Sequence, residues 1–145
     1  MGAMIWLLRH GDAEEGTPDS ERKLTAKGAR QSRAAGVALA KLGVHLDICL
    51  SSPKVRAAQT ARLACDPLGI EVKLESRLAG GAFDAEALVA GLGDVLLVGH
   101  DPDFSQVVTN LTGARAQLRK GGLAGIDGSE LKVLLSPDEL AAISG

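Results

Sequence analysis

Apolar positions in this chain alternate between short continuous runs and longer stretches in which they recur every three or four residues. The continuous runs cover residues 5–8 and 95–98, residues 46–50 are apolar except for Asp47, and apolar residues alternate with polar ones over residues 70–74. Continuous runs of this length are typical of strands that are buried on both faces of a sheet. We therefore predict four strands, each followed by a segment with helical spacing.

Residues typical of helix amino termini lie between these predicted strands. Thr25 precedes a segment with helical spacing that continues to about Leu42. Ser52 and Pro53 form a cap followed by proline, so we expect a second helix from there to about Leu68. Strands that alternate with helices favour a parallel sheet with helices on both faces, a three-layer α/β/α sandwich. Two further helices are predicted to begin at Asp84 and at Asp101-Pro102.

The end of the chain departs from this alternation. Mostly apolar segments over residues 123–126 and 131–135 flank an Asp-Gly pair at 127–128, which is a strong signal for a β-hairpin. Residues 136–139 then fit a capping box that opens a last helix. The predicted fold is thus a single α/β domain over residues 1–145, with a mostly parallel sheet and an antiparallel edge near the carboxyl terminus.

Two of the predicted strands end at a histidine. The apolar run over 5–8 leads to Arg9 and His10, and the run over 95–98 leads to His100. Carboxyl ends of parallel strands lie at one edge of the sheet, which is where open α/β folds bind ligands. We therefore expect the two imidazoles to share a site, and Arg9 indicates that its ligand is an anion.

These residue types suit phosphoryl transfer. Arginine offers a permanently charged fork to phosphoryl oxygens, and imidazole is a competent nucleophile near neutral pH. Arg56 falls in the first turn of the second predicted helix, off its apolar stripe, and so points toward the same strand ends. The amino terminus of that helix also favours an anion.

Composition narrows the classes of partner. The net charge is −2 and aromatic residues make up 2% of the chain, which argues against nucleic acid and acidic membrane surfaces. The amino-terminal residues lack a signal-peptide pattern, and no apolar run approaches the roughly 20 residues that span a bilayer. Cys49 and Cys65 are not arranged as a C-x-x-C pair, and buried thiols fit a reducing compartment. We expect a cytoplasmic protein. We make no prediction of its oligomeric state.

A metal site could in principle be built from the two strand-end histidines with Asp12 and Asp101. Two arginines beside such a site would repel a cation. We therefore expect neither a metal nor another cofactor.

Four motifs together resemble the histidine phosphatase superfamily, whose members have a phosphoglycerate mutase-like fold. They are Arg-His-Gly at 9–11, Arg-x-Leu-Thr-x-x-Gly at 22–28, Ser-x-x-x-Arg-Ala-x-x-Thr-Ala at 52–61 and Gly-His at 99–100. Their order and spacing cover most of residues 4–112. The chain length and the Arg-His-Gly-Asp-Ala opening are most similar to the short SixA-type phosphohistidine phosphatases.

The resemblance implies catalytic roles for four residues. His10 would attack phosphorus and carry it as a phosphohistidine intermediate. Arg9, Arg56 and His100 would bind the phosphoryl oxygens, and a protonated His100 would act as a charged donor to the transition state.

The resemblance offers two positions for a proton donor. Relatives that cleave esters use a Glu after the third strand or an Asp after the second histidine, and this chain has Glu75 and Asp101 near those places. Asp101 could instead cap a helix, which favours its charged form and makes a poor acid.

The short connections around the site favour an open cavity, which suits a phosphohistidine on another protein. We therefore expect phosphohistidine on a protein as the substrate. The alternatives are a phosphatase of small phosphate esters or sugar phosphates, and a non-catalytic module that binds a phosphorylated ligand.

Overall fold

A six-stranded sheet with the order β3-β2-β4-β1-β5-β6 forms the centre of the computed structural model, which describes residues 3–145. The β1–β4, β2–β4 and β2–β3 pairs are parallel, and the β1–β5 and β5–β6 pairs are antiparallel. The predicted α/β fold with an antiparallel carboxyl-terminal edge is confirmed. The strands are β1 (Met4–Arg9), β2 (Ile48–Ser51), β3 (Val72–Leu74), β4 (Val95–Gly99), β5 (Leu123–Asp127) and β6 (Glu130–Leu135).

Helices cover both faces of this sheet. Along β1, Trp6 and Leu8 pack into one core and Ile5 and Leu7 into the other, because successive side chains of a strand point to opposite faces. The first core includes residues of α1, α2 and α5, and the second includes residues of α3 and α4. The helices are α1 (Ala26–Lys41), α2 (Val55–Cys65), α3 (Ala85–Val89), α4 (Asp103–Thr112) and α5 (Pro137–Ser144).

Three of the predicted caps are confirmed. The Thr25 hydroxyl accepts a hydrogen bond from the Gly28 N–H, and the Asp84 carboxylate accepts one from the Ala87 N–H. Ser136 forms a full capping box at the start of α5. Side-chain oxygens therefore satisfy N–H groups in the first turns of α1, α3 and α5.

The predicted limits of the second helix were wrong at both ends. The Ser52 N–H donates to the Val98 carbonyl at 2.9 Å, so residue 52 continues the strand ladder and α2 begins at Val55. Pro67 has no N–H to donate to the preceding turn, and α2 ends at Cys65. Strands β2 and β3 are likewise shorter at their amino ends than the runs over 46–50 and 70–74 predicted.

The predicted domain spans residues 1–145, and the amino-terminal segment that lacks a signal-peptide pattern also begins at residue 1. Residues 1 and 2 lie outside the part of the chain that the structure describes. Within residues 3–145, no helix has the length and apolar character needed to cross a membrane.

The first turn of α1 packs directly on the loop that follows β1. A Cβ atom on Gly28 would lie 2.0 Å from the Asp12 carbonyl oxygen, and one on Gly11 would lie 2.6 Å from the Gly28 carbonyl oxygen. The same loop is joined to α1 by hydrogen bonds from the Thr25 N–H to the Asp12 carbonyl and from the Asp12 N–H to the Gln31 amide oxygen. The absence of side chains at residues 11 and 28 therefore sets how closely α1 approaches His10.

We expect Gly28→Ala to lower the free energy of unfolding by about 1–3 kcal/mol through overpacking, although alanine is the better helix former by about 1 kcal/mol. Urea denaturation measures this loss. The same displacement of the loop should reduce catalytic activity.

The control is Ala40→Gly, on the exposed end of the same helix, which should cost about 1 kcal/mol through helix propensity and leave activity intact. A Gly28→Ala protein as stable as the parent would contradict the packing argument.

Candidate active site

The register of β1 against β4 brings the two strand-end histidines together. Arg9 pairs with Gly99, and the His10 N–H donates to the Gly99 carbonyl at 3.0 Å. The ring centroids of His10 and His100 are 5.3 Å apart. Both residues are buried, at 5% and 7% exposure. The structure thus places these two predicted site residues side by side.

The environment of His10 determines which ring nitrogen is free. Its Nδ1 lies 2.7 Å from the Gly11 carbonyl oxygen, which can only accept a hydrogen bond, so Nδ1 carries the proton. Nε2 therefore has the lone pair and accepts a weak hydrogen bond from Arg56 Nε at 3.4 Å. Burial lowers the pKa of His10 to about 4. The Gly11 hydrogen bond opposes this effect, and Arg56 and Arg9 each lower the pKa further by a smaller amount. Near pH 7 the ring is therefore neutral, with its lone pair on Nε2.

Arg56 is positioned by the first turns of α2 and by a buried hydroxyl. The Thr60 hydroxyl donates to the Arg56 carbonyl at 2.8 Å and accepts from the Gly11 N–H at 3.1 Å. This contact ties the helix that carries Arg56 to the loop that follows His10. Arg56 is 5% exposed, and its guanidinium lies between His10 and the 3₁₀ turn at Asp19–Glu21.

Asp19 gathers three cations at the rim of this site. Its carboxylate lies 3.1 Å from Arg22, 3.4 Å from Lys54 and 3.2 Å from Arg56, and its carbonyl accepts from Arg56 at 2.8 Å. Burial works in the opposite direction, but the hydrogen bonds from Arg22, Arg56 and Lys54 lower the pKa of Asp19 to about 2. The carboxylate is therefore ionised over the whole physiological range.

Sequence reasoning missed the role of Asp19. The one signal for it was its spacing of three residues from Arg22 within the polar loop. Its contact with Arg56 joins positions 37 residues apart, and no sequence pattern predicts that approach.

His100 and Arg9 each keep a buried nitrogen without a partner among residues 3–145. His100 Nε2 lies 2.8 Å from the Ser52 hydroxyl, and its Nδ1 is unpaired. Burial first, then His10 and Arg56, lower the pKa of His100 to about 3; an anion bound beside the ring would raise it. Arg9 donates from Nη1 to the Leu118 carbonyl at 3.0 Å, and its Nε is unpaired.

One cavity of about 360 Å³ is bordered by Arg9, Arg56 and the two histidines. Five cationic side chains line it, together with the two buried histidines, and only two carboxylates do so. Fixed cations and neutral imidazoles around a small cavity suit a tetrahedral, multiply charged oxyanion. The lining residues are Arg9, His10, Arg22, Lys54, Arg56, Gly80, Gly81, His100, Asp101, Pro102, Asp103 and Lys120.

The two carboxylates considered as proton donors lie in different places. Asp101 lines the cavity, but both its oxygens accept from the Ser105 hydroxyl, and one also accepts from the Ser105 N–H. Glu75 is absent from the cavity lining and forms a two-point ion pair with Arg77, whose hydrogen bonds lower the pKa of Glu75. Glu75 is therefore held in its charged form by Arg77, and both Asp101 oxygens already accept hydrogen bonds from Ser105.

A possible set of metal ligands lies at the opposite edge of the sheet. Ligand atoms of His45, Asp47 and Asp94 lie within 4.8 Å of one another, next to the amino ends of β2 and β4. The Asp47 carboxylate already contacts His45 and accepts from the Asp94 N–H. These contacts give the cluster a structural role, because they join the loop that precedes β2 to the loop that precedes β4.

This chain is similar to known proteins in family, in sequence and in fold. The family model of the histidine phosphatase superfamily (branch 1) matches residues 5–85, more than half of the chain. An uncharacterized protein of Picosynechococcus sp. is 32% identical over 92% of this chain and 90% of that protein. The protein histidine phosphatase SixA, solved in complex with tungstate, superimposes with a TM-score of 0.82 at 26% identity over 94% of this chain and 99% of that one.

A 2,3-bisphosphoglycerate-dependent phosphoglycerate mutase of Sinorhizobium fredii is 32% identical over 74 residues. That match covers 48% of this chain but only 35% of the mutase. The likeness to the mutase is therefore confined to one part of a longer protein.

The low pKa values of the buried histidines predict a stability that depends on pH. Unfolded histidines bind protons below pH 6.5, whereas His10 and His100 resist protonation down to about 4 and about 3. The unfolded state then binds more protons, so stability should fall by a few kcal/mol as the pH drops from about 6.5 to about 4.5. Urea denaturation across this range should give a much flatter curve for His10→Gln/His100→Gln.

His45→Gln is the control, because it removes an exposed histidine and should leave the slope unchanged. Equal slopes for the parent and the double variant would show that the two imidazoles are not buried in neutral form.

Proposed function

We propose that this chain, which belongs to the histidine phosphatase superfamily, hydrolyses phosphohistidine on proteins through a phosphorylated His10. The observation that carries the proposal is the unprotonated Nε2 of His10, which borders a cavity that Arg9, Arg56 and His100 also line. An in-line nucleophile surrounded by oxyanion donors is what phosphoryl transfer requires.

In the first step, the lone pair on His10 Nε2 forms a bond to phosphorus as the bond from phosphorus to the substrate nitrogen breaks. When the other nitrogen of the substrate ring carries a proton, that ring leaves as neutral imidazole and needs no proton from the enzyme. Water then attacks phosphorylated His10, which releases inorganic phosphate and restores the neutral imidazole. The proposed reaction uses no metal ion, because the arginines and lysines of the cavity supply the positive charge.

Arg56 is suited to stabilise the transferring group because its Nε lies 3.4 Å from the attacking nitrogen. A phosphoryl group bound to Nε2 would stand directly beside this guanidinium. The unpaired Nε of Arg9 and the unpaired Nδ1 of His100 are further donors or binding atoms for its oxygens. Such preorganised groups favour the charge that develops in the transition state.

We propose a phosphorus–nitrogen bond in the substrate because both candidate proton donors already have partners. The Asp101 oxygens are occupied by Ser105, and Glu75 is paired with Arg77 outside the cavity. An ester with a poor leaving group needs a proton donor, whereas a protonated imidazole leaves unaided. The fold similarity to SixA supports the same substrate class.

Hydrolysis of small phosphate esters is the second candidate function, favoured by the position of Asp101 in the cavity lining. A non-catalytic module that binds phosphorylated ligands is a third. The free Nε2 of His10 argues against the third candidate, because binding alone does not need an attacking lone pair.

The central test is to trap the intermediate. Incubation with a labelled phosphohistidine peptide should give a protein-bound label that is labile in acid and stable in alkali. His10→Ala should abolish the label and the release of phosphate, whereas the matched variant His45→Ala should retain both, as should the parent in EDTA. An undiminished label in His10→Ala would overturn the proposal.

The proton-donor question has its own test. For a phosphohistidine peptide, we expect Asp101→Asn and Glu75→Gln each to change kcat by less than about fivefold. General acid catalysis typically contributes about 10²–10⁴-fold. A loss of that size on alkyl phosphate esters, together with efficient ester hydrolysis by the parent, would favour the second candidate function instead.

A further inference from the structure

A second, larger groove continues from the proposed active site. It has a volume of about 590 Å³ and lies between the first turns of α1, the loop at residues 119–120 and the start of α5. Arg9 and Lys120 line both this groove and the cavity that contains His10. A substrate bound through its phosphoryl group can therefore extend into the groove without leaving the protein surface.

The groove is basic, although the chain as a whole carries a net charge of −2. Its lining holds four cationic side chains and two carboxylates, Asp12 and Asp138. The Asp12 carboxylate is fixed by the Thr25 hydroxyl at 2.8 Å and lies 3.9 Å from Lys120. Asp12 thus already has partners within the chain, and cationic side chains outnumber carboxylates along the groove.

Two of these cations have no counter-ion of their own. Within residues 3–145, neither the Lys27 ammonium nor the Arg119 guanidinium forms an ion pair of 4.0 Å or less or a hydrogen bond with another side chain or carbonyl. Both side chains are exposed. Unpaired cations on opposite sides of a groove attract a mobile anionic group from outside the chain.

We propose that this groove, called here the basic groove and defined by Arg9, Lys27, Arg119 and Lys120, binds acidic side chains that flank the phosphorylated histidine of a protein substrate. The inference rests on the proposed function. Long, exposed lysine and arginine side chains suit the carboxylates of a surface segment, because they can adjust to groups at several positions. Charge complementarity of this kind raises association rates and selects among partners.

The test compares two phosphohistidine peptides of equal length, one flanked by Asp and Glu and the other by Asn and Gln. For the parent protein, kcat/KM should be about tenfold higher for the acidic peptide at low salt. This preference should shrink as ionic strength rises from about 0.02 M to about 0.3 M, because salt screens exposed charges.

Lys27→Gln/Arg119→Gln should reduce the preference for the acidic peptide to about twofold or less. The matched control is Arg62→Gln/Lys73→Gln, which removes the same charge from exposed residues of α2 and β3 and should keep the preference. Loss of the preference in both double variants would mean that net charge is responsible, and would overturn the proposal.

The remaining outcomes separate this inference from the proposed function. Equal kcat/KM values for the two peptides, with His10 still labelled, would overturn the basic groove and leave the proposed function standing. Hydrolysis of neither peptide would overturn both. A preference for small bisphosphates that Lys27→Gln/Arg119→Gln removes, without any preference between the peptides, would assign the groove to a second phosphate.

Discussion

The parallel pairing of β1 with β4 is the constraint on which the rest of the site depends. Arg9 stands opposite Gly99 in that ladder, and a histidine follows each strand directly. A slip of one residue would turn every side chain of β1 toward the other core and would separate the two rings. Apolar residues cover both faces of β1 and β4, so both strands are buried between two cores and only their carboxyl ends reach the cavity.

The folded site holds several like charges close together. Five cationic side chains face one cavity, and like charges at such distances disfavour the folded arrangement. Part of the compensation comes from the Asp19 carboxylate, which three of those cations share. Another part comes from main-chain carbonyls of Asp19 and Leu118, which accept from the arginines. The guanidinium groups of Arg9 and Arg56 are thereby held in place by hydrogen bonds to residues that are distant in sequence.

The parts of the site that follow from strand ends were predictable, and those that follow from tertiary approach were not. Apolar runs that stop at His10 and His100 place both rings at one sheet edge once the strands are parallel. The hairpin at 127–128 was equally clear from its turn residues. The role of Ser52 was misread, since its pairing with β4 overrides its capping preference. Asp19 was missed because a polar loop carries no periodicity that aims it at α2.

The hydrogen bond that orients His10 comes from the main chain, at Gly11. Every residue type carries that carbonyl, so no side-chain replacement can delete the acceptor, although the contact with Gly28 limits bulk there. The orientation of the His10 ring therefore does not depend on which side chain residue 11 carries. A side-chain change in the surrounding loops that leaves this main-chain contact in place leaves Nε2 of His10 pointing in the same direction.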